Sequence, residues 1–173
     1  FRPIILDSIY RPYAAAVIQK NHHWRPNSWS APKIKPDASV SPEPFLKHLE
    51  RMLGSKPKAD YLIDMLAYRY QSTTNVKPHV AFYFYGGQGF GKGIFSSTIE
   101  AVFGTSAVRT VREQNDLKSM SGIDVWTRTF AIIDEVDVKA GSSIYNNIKT
   151  MTGGQSFDSA RKGEHFKRFE TPA

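Results

Sequence analysis

The sequence predicts an α/β fold, a three-layer core with a mostly parallel sheet, preceded by a small helical flank. Three observations predict it. Val80-Ala81-Phe82-Tyr83-Phe84-Tyr85 is an unbroken apolar run of strand length. It leads straight into the glycine-rich Gly86-Gly87-Gln88-Gly89-Phe90-Gly91-Lys92-Gly93, after which helical periodicity resumes. A second apolar run, Phe130-Ala131-Ile132-Ile133, ends in Asp134-Glu135. Strands apolar throughout are buried on both faces, and strands that alternate with helices build a parallel sheet.

Each element follows in order. Residues 1–40 are poor in helical periodicity and rich in Pro, Asn and Ser. They read as an extended arm with one short strand or helix near residues 13–19. Trp24 and Trp29 in such a segment serve packing first; with Arg25, Lys33 and Lys35 beside them, stacking on nucleic-acid bases is the alternative. Ser41-Pro42 opens a helix with a hydroxyl cap and a first-turn proline. Phe45, Leu46, Leu49, Met52 and Leu53 then share a face, and Gly54 stops the helix. A second helix spans 59–71, with Tyr61, Leu62, Met65 and Leu66 as its inward stripe. Residues 41–78 thus form a helical flank, and the core occupies 79–173.

Within the core, 80–85 is predicted as a buried strand and 92–103 as a helix ended by Gly104. A strand at 107–111, a short helix at 115–120, a buried strand at 129–134 and a helix at 142–151 follow. The segments 155–160 and 165–170 flank a turn at Lys162-Gly163 and read as a hairpin.

Composition narrows the function. The chain has 173 residues and a net charge of +7, with the excess concentrated in its first third. A basic surface attracts polyanions, nucleic acid foremost, although solubility alone would also account for it. There is no cysteine, so neither disulfides nor thiolate metal sites are available. His22-His23 lacks a third ligand at metal-binding spacing and reads as a surface loop. No run is long enough to span a membrane. The chain begins at Phe1 without a basic-then-apolar leader, which suggests a fragment of a longer cytoplasmic polypeptide.

The chemistry lies in the glycine loop. Gly-x4-Gly-Lys arises by chance about 0.06 times in a chain of this composition, so context decides. Here a strand precedes it and a helix follows. Backbone N–H groups in such a loop point at an anion, and the helix N-terminus adds partial positive charge. Residues Gly86, Gly87, Gln88, Gly89, Phe90, Gly91, Lys92, Gly93 and Ile94 form the expected triphosphate cradle. Lys92 would neutralise the β- and γ-phosphates. Asp134 would hold Mg²⁺, and Glu135 would orient and deprotonate an attacking water. One position departs from the common pattern: Gly93 replaces the hydroxyl residue that usually follows the lysine. Ser96 or Ser97, a turn further on, would reach the metal through water.

The glycine loop, Phe130-Ala131-Ile132-Ile133-Asp134-Glu135-Val136, and Asn147-Ile148-Lys149-Thr150-Met151-Thr152-Gly153 occur in that order. Together they resemble the superfamily 3 helicase domain of phage, poxvirus and mobile-element primase-helicases, a compact branch of the AAA+ ATPases. Glycine after the loop lysine is a familiar variant in the phage-like branch. Upstream, Asn27-Ser28-Trp29 and Lys77-Pro78 match its flank, so the likeness covers about residues 25–173. It implies an AAA+ type P-loop core, ATP and Mg²⁺ as cofactors, a hexameric ring and movement along single-stranded DNA in a bacterial host cytoplasm. It also implies that the hairpin at 155–170 lines the pore, with Arg161, Lys162, His165 and Lys167 on DNA. The family's next strand, with its polar sensor and a following arginine finger, is not in this sequence. That strand belongs between the loop strand and the Asp-Glu strand, so the native core is expected to continue. Two alternatives stand beside the motor: a catalytically weak DNA-binding or oligomerisation module that retains nucleotide binding, and a small P-loop kinase. An arginine-rich lid segment, which a kinase would need, is not evident.

Overall fold

The computed structural model describes residues 8–72, 80–118, 128–136, 138–153, 156–159 and 167–170. The arm holds an antiparallel hairpin, β1 (Val17–Lys20) and β2 (His23–Pro26), rather than a lone strand or helix. Asn21 and His22 join the two with φ of 51° and 63°. Both are left-handed, as a two-residue hairpin turn of the favoured twist requires.

Polar side chains fix the arm. The Asn27 carboxamide accepts from the N–H groups of Arg11 and Trp29 and donates to the Arg11 carbonyl at 2.8 Å. Ser106 ties the arm to the core: its hydroxyl accepts from Ser30 N–H and donates back to Ser30 C=O. Tyr10 and Thr129 share a hydroxyl hydrogen bond of 2.7 Å. Trp29 packs on Tyr13, ring centroids 5.1 Å apart, whereas Trp24 is exposed.

Two helices follow, α1 (Glu43–Leu53) and α2 (Lys56–Gln71). Pro42 rather than Ser41 is the N-cap of α1 and Pro44 its first-turn proline, because the helix starts one residue later than expected; the Ser41 hydroxyl still accepts from Glu43 N–H, and Gly54 ends the helix at φ 66°. Ser55 and Pro57 start α2 a turn earlier than the apolar stripe suggests, because proline's missing N–H costs nothing in a first turn. Leu49, Ala59 and Leu62 are buried between the helices. Leu46 and Tyr61, expected on the inward faces, are exposed instead.

The core is α3 (Lys92–Phe103), β3 (Val108–Val111), α4 (Gln114–Lys118), β4 (Phe130–Ile133) and α5 (Ser143–Gly153). β3 and β4 pair in parallel, from Val108 opposite Phe130 to Val111 opposite Ile133. Side chains alternate across this ladder. Val108, Phe130 and Ile132 pack against Ile99, Phe103 and Phe95 of α3. Val111 and Ile133 pack the other way, against Leu117 of α4 and Ile144, Ile148 and Met151 of α5. Helices therefore cover both faces of the ladder. Asn147 of α5 donates to the Leu117 carbonyl at the end of α4. Beyond α5, β5 (Ser156–Ser159) and β6 (Lys167–Glu170) form an antiparallel pair with Ser159 opposite Lys167.

One strand expectation is corrected. Residues 80–85 form no ladder with any described residue, and they are not buried. Tyr83 and Tyr85 are 86% and 85% exposed. The chain there still alternates as an extended segment does: the Phe82 and Phe84 rings stack on one side, and those of Tyr83 and Tyr85 on the other. Among the described residues only the phenylalanine side has a counter-surface, Phe84 lying 5.1 Å from Phe95. Apolar character makes this segment able to be a central strand. A partner on either edge is what would make it one, and among the described residues there is none.

No helix among the described residues is long and apolar enough to cross a membrane.

Candidate phosphate-binding site

The glycine loop enters from the unpaired segment and ends at the first turn of α3. Gly86, Gly89 and Gly91 have φ of 147°, 85° and 84°, all in the region that excludes most side chains. Gly91 is the N-cap of α3. Its backbone is also tightly approached: a Cβ there would lie 2.0 Å from Cε1 of His48. A Cβ on Gly89 or Gly93 would meet nothing within 4 Å, so the loop is open on that side.

Among the described residues, the backbone N–H groups of residues 87–94 make no hydrogen bond of ordinary geometry, Phe90 closing only a loose turn onto the Gly87 carbonyl. The first N–H of the loop-to-helix turn that does is Phe95, which donates to the Gly91 carbonyl at 3.1 Å. The first turn of any helix leaves such donors over. Here the loop adds its own donors to them. The Lys92 ammonium folds back over the loop and donates to the carbonyls of Gly86 and Gly87 at 2.9 and 3.0 Å. The cluster is therefore donor-rich and cationic, and the Lys92 ammonium satisfies two of the loop's carbonyls. That donor set fits the oxygens of a polyphosphate. Phe90 and Ile94 flank it with exposed apolar surface.

The acidic pair sits at the carboxyl end of β4. Asp134 N–H donates to the Val111 carbonyl at 2.9 Å, extending the parallel register one residue past the ladder. The Asp134 carboxylate lies 3.7 Å from Nε of Arg112, the residue that follows β3. Both side chains are largely exposed, so the ion pair is weak. Glu135 has φ of 57°, a left-handed conformation unusual for glutamate that turns the chain as it leaves the strand. The carboxyl ends of parallel strands are where open α/β sheets bind ligands.

For Ser96, the hydroxyl donates to the Lys92 carbonyl at 3.2 Å within its own helix. Among the described residues no group of three His, Asp or Glu side chains could hold a metal ion. A cation here would rely on Asp134 together with phosphate and water. Of the expected DNA contacts, Arg161, Lys162 and His165 lie outside the described residues, and Lys167 opens β6.

Two contributors were not foreseen from sequence. Arg112 comes next to Asp134 through the parallel register, which a strand-pairing prediction would have signalled. His48 reaches the loop from the helical flank and donates from Nε2 to the Gly91 carbonyl at 3.2 Å. It is 43 residues from Gly91, and no local sequence signal points to it.

With this geometry in place, comparison with known proteins gives a class. The chain belongs to DUF5906, a family of unknown function, whose sequence profile matches residues 84–173. Three solved structures of the C-terminal region of NrS-1 share the fold. All three are apo structures: one and an A form align with TM-scores of 0.75, and another A form with 0.70, each at 20% identity. The alignments cover 95% of this chain but only 39–40% of those chains, so this chain spans about two-fifths of their length. No curated protein matches the sequence.

Proposed function

We propose that this chain is the nucleotide-binding part of an ATP-driven DNA motor of the superfamily 3, AAA+ helicase type, acting in replication. The observation that supports it is the donor cluster: the N–H groups of residues 87–94, without a well-formed hydrogen bond among the described residues, gathered with the Lys92 ammonium at the start of α3. Bound Mg²⁺·ATP would supply an activated phosphoryl group. The loop N–H groups and Lys92 would hold the β- and γ-phosphate oxygens. Lys92 has only to swing from two carbonyls to do so. Asp134 would hold the metal, exchanging its weak pairing with Arg112 for a stronger one. Glu135 would orient a water and accept its proton.

DNA contact falls to the β5–β6 hairpin in this reading. Lys167 opens β6 opposite Ser159, and Arg161, Lys162 and His165 belong to the connection between the strands. The positive net charge favours a polyanion partner. A hexameric ring around single-stranded DNA belongs to the same proposal. A second reading has one observation of its own. Gly93 offers no hydroxyl, and Ser96 spends its own on the helix. That favours a module that binds nucleotide and hydrolyses it slowly.

The test is equilibrium binding of a non-hydrolysable ATP analogue with Mg²⁺, followed by hydrolysis with and without single-stranded DNA. The motor predicts binding that Lys92→Ala abolishes and hydrolysis that DNA stimulates. Binding without stimulated turnover selects the weak module; no binding removes both. Lys162→Ala should also flatten the salt dependence of single-strand binding by roughly 0.7 per lost phosphate contact.

A further inference from the structure

We propose that His48 is a positioning residue for the phosphate loop, which makes the helical flank a working part of the nucleotide site. The proposal rests on the phosphate-binding reading above. Its geometry is local and specific. The Gly91 carbonyl is an acceptor, so the His48 ring carries its proton on Nε2 and donates. The same carbonyl takes the Phe95 N–H at 3.1 Å. Both of its lone pairs are thereby engaged, one by α3 and one by α1.

The consequence runs through a single peptide plane. The Gly91 carbonyl and the Lys92 N–H belong to one planar, trans unit, so they point in opposite directions. A hydrogen bond that fixes the carbonyl toward α1 fixes the Lys92 N–H away from it. The imidazole also occupies the volume that any side chain on Gly91 would need, 2.0 Å from its Cβ position. Histidine and glycine are therefore a matched pair, one filling the space that the other leaves.

α1 is held firmly enough to serve as the reference. Leu49, next to His48, is fully buried, in a cluster that includes Phe84 and Phe95. Phe84 lies just before the loop and Phe95 just after it. The flank therefore grips the chain on both sides of the loop, with the imidazole between.

The experiment compares His48→Ala and His48→Gln. It reads binding of a non-hydrolysable ATP analogue and amide hydrogen exchange of peptides spanning residues 86–95. His48→Ala should weaken binding about tenfold, the size of one lost hydrogen bond that orders a donor. It should also speed exchange in the loop. Gln can donate from its carboxamide, and His48→Gln should stay within about threefold of wild type in binding. A variant His48→Ala that binds like wild type overturns the proposal, and so does equal loss in both variants. If wild type binds no nucleotide, the phosphate reading fails separately. Loop exchange then decides: faster in His48→Ala and not in His48→Gln supports the positioning role, and no change overturns it.

Discussion

Two apolar stretches lead into the candidate site residues, one into the glycine loop and one into the acidic pair, and they meet different fates. Residues 130–133 form β4, paired with β3 and packed between α3 and α5. Residues 80–85 are also apolar apart from two tyrosine hydroxyls and lead straight into the glycine loop, yet they pair with no described strand and hold two tyrosines in solvent. Apolar sequence states that a segment gains by burial; it does not supply the surface that buries it. β4 has a neighbour at register and helices on both faces. The 80–85 segment has α1, α2 and α3 behind its phenylalanines and no described strand beside it. The loop is thus anchored from one side, through Phe84 and His48, while the acidic pair is anchored through a finished ladder.

The sharpest contrast between the two regions is thermodynamic. Phe130 stacks edge-on against Phe103 at 4.5 Å and belongs to the cluster under α3. Phe130→Ala should cost about 3 kcal/mol through lost burial and the cavity left behind. Chemical denaturation reads this directly. A cost below about 1 kcal/mol, the range of ordinary surface changes and minor trims, would show that the ladder is not the stable half.

Next comes the acidic pair that this ladder presents. Glu135→Gln keeps the shape and the left-handed turn but removes the carboxylate proposed as the base. Hydrolysis should fall at least about a hundredfold with binding of nucleotide nearly unchanged. That is about 2.7 kcal/mol on the barrier. If turnover survives, Glu135 is only a turn residue, and the ladder end holds no catalytic group.

The inward side of the 80–85 segment should show an intermediate effect. Phe84 is half-buried against Phe95 and the α1–α2 cluster. Phe84→Ala should destabilise by about 2 kcal/mol, less than a fully enclosed ring. Because Phe84 directly precedes the loop, weaker analogue binding should accompany it. Loss of stability without loss of binding would separate the segment from the site.

A smaller seam lies at the start of β4, where Tyr10 of the arm packs on the α3 side and bonds Thr129. Tyr10→Phe should cost about 1 kcal/mol, one hydrogen bond. Burial is the main cause that lifts the Tyr10 phenol above its ordinary 10.0, with the Thr129 bond and the Arg128 and Arg69 charges opposing. The folded state therefore holds its proton more tightly than the unfolded chain. Its contribution is complete below the ordinary value and is lost as pH rises through the folded one. Melting curves of wild type and Tyr10→Phe should draw together above the ordinary tyrosine range. Parallel curves would show that the phenol does not titrate in this seam.

Much of this was legible in the residues. Gly54 and Gly104 mark helix ends because each follows an apolar-periodic run, and α1 and α3 stop there. The Phe130-Ala131-Ile132-Ile133 run and the loop at 86–93 were visible for the same local reasons. What escaped notice depends on distant chain. His48 looks like any polar position on α1 until the loop packs against it. Arg112 acquires its meaning from register, Val111 opposite Ile133. The β1–β2 hairpin turns at Asn21-His22 rather than at a glycine pair, so its turn carries a muted signal. The exposure of Tyr83 and Tyr85 depends on there being no strand beside them among the described residues, and no property of residues 80–85 themselves encodes that.

The smallest expected effect tests the comparison most strictly. Tyr83 and Tyr85 stack on each other, centroids 6.1 Å apart, and otherwise face solvent. Replacing both by threonine preserves extended-chain propensity and removes two large rings. With both rings already hydrated in the native state, little burial is forfeited, and stability should move by no more than about 0.5 kcal/mol per site. Phe130→Ala under the same conditions serves as the reference. Should the double tyrosine variant lose as much as Phe130→Ala, those rings are covered in solution, the 80–85 segment is a buried strand after all, and the two apolar stretches differ only in which neighbour reaches them.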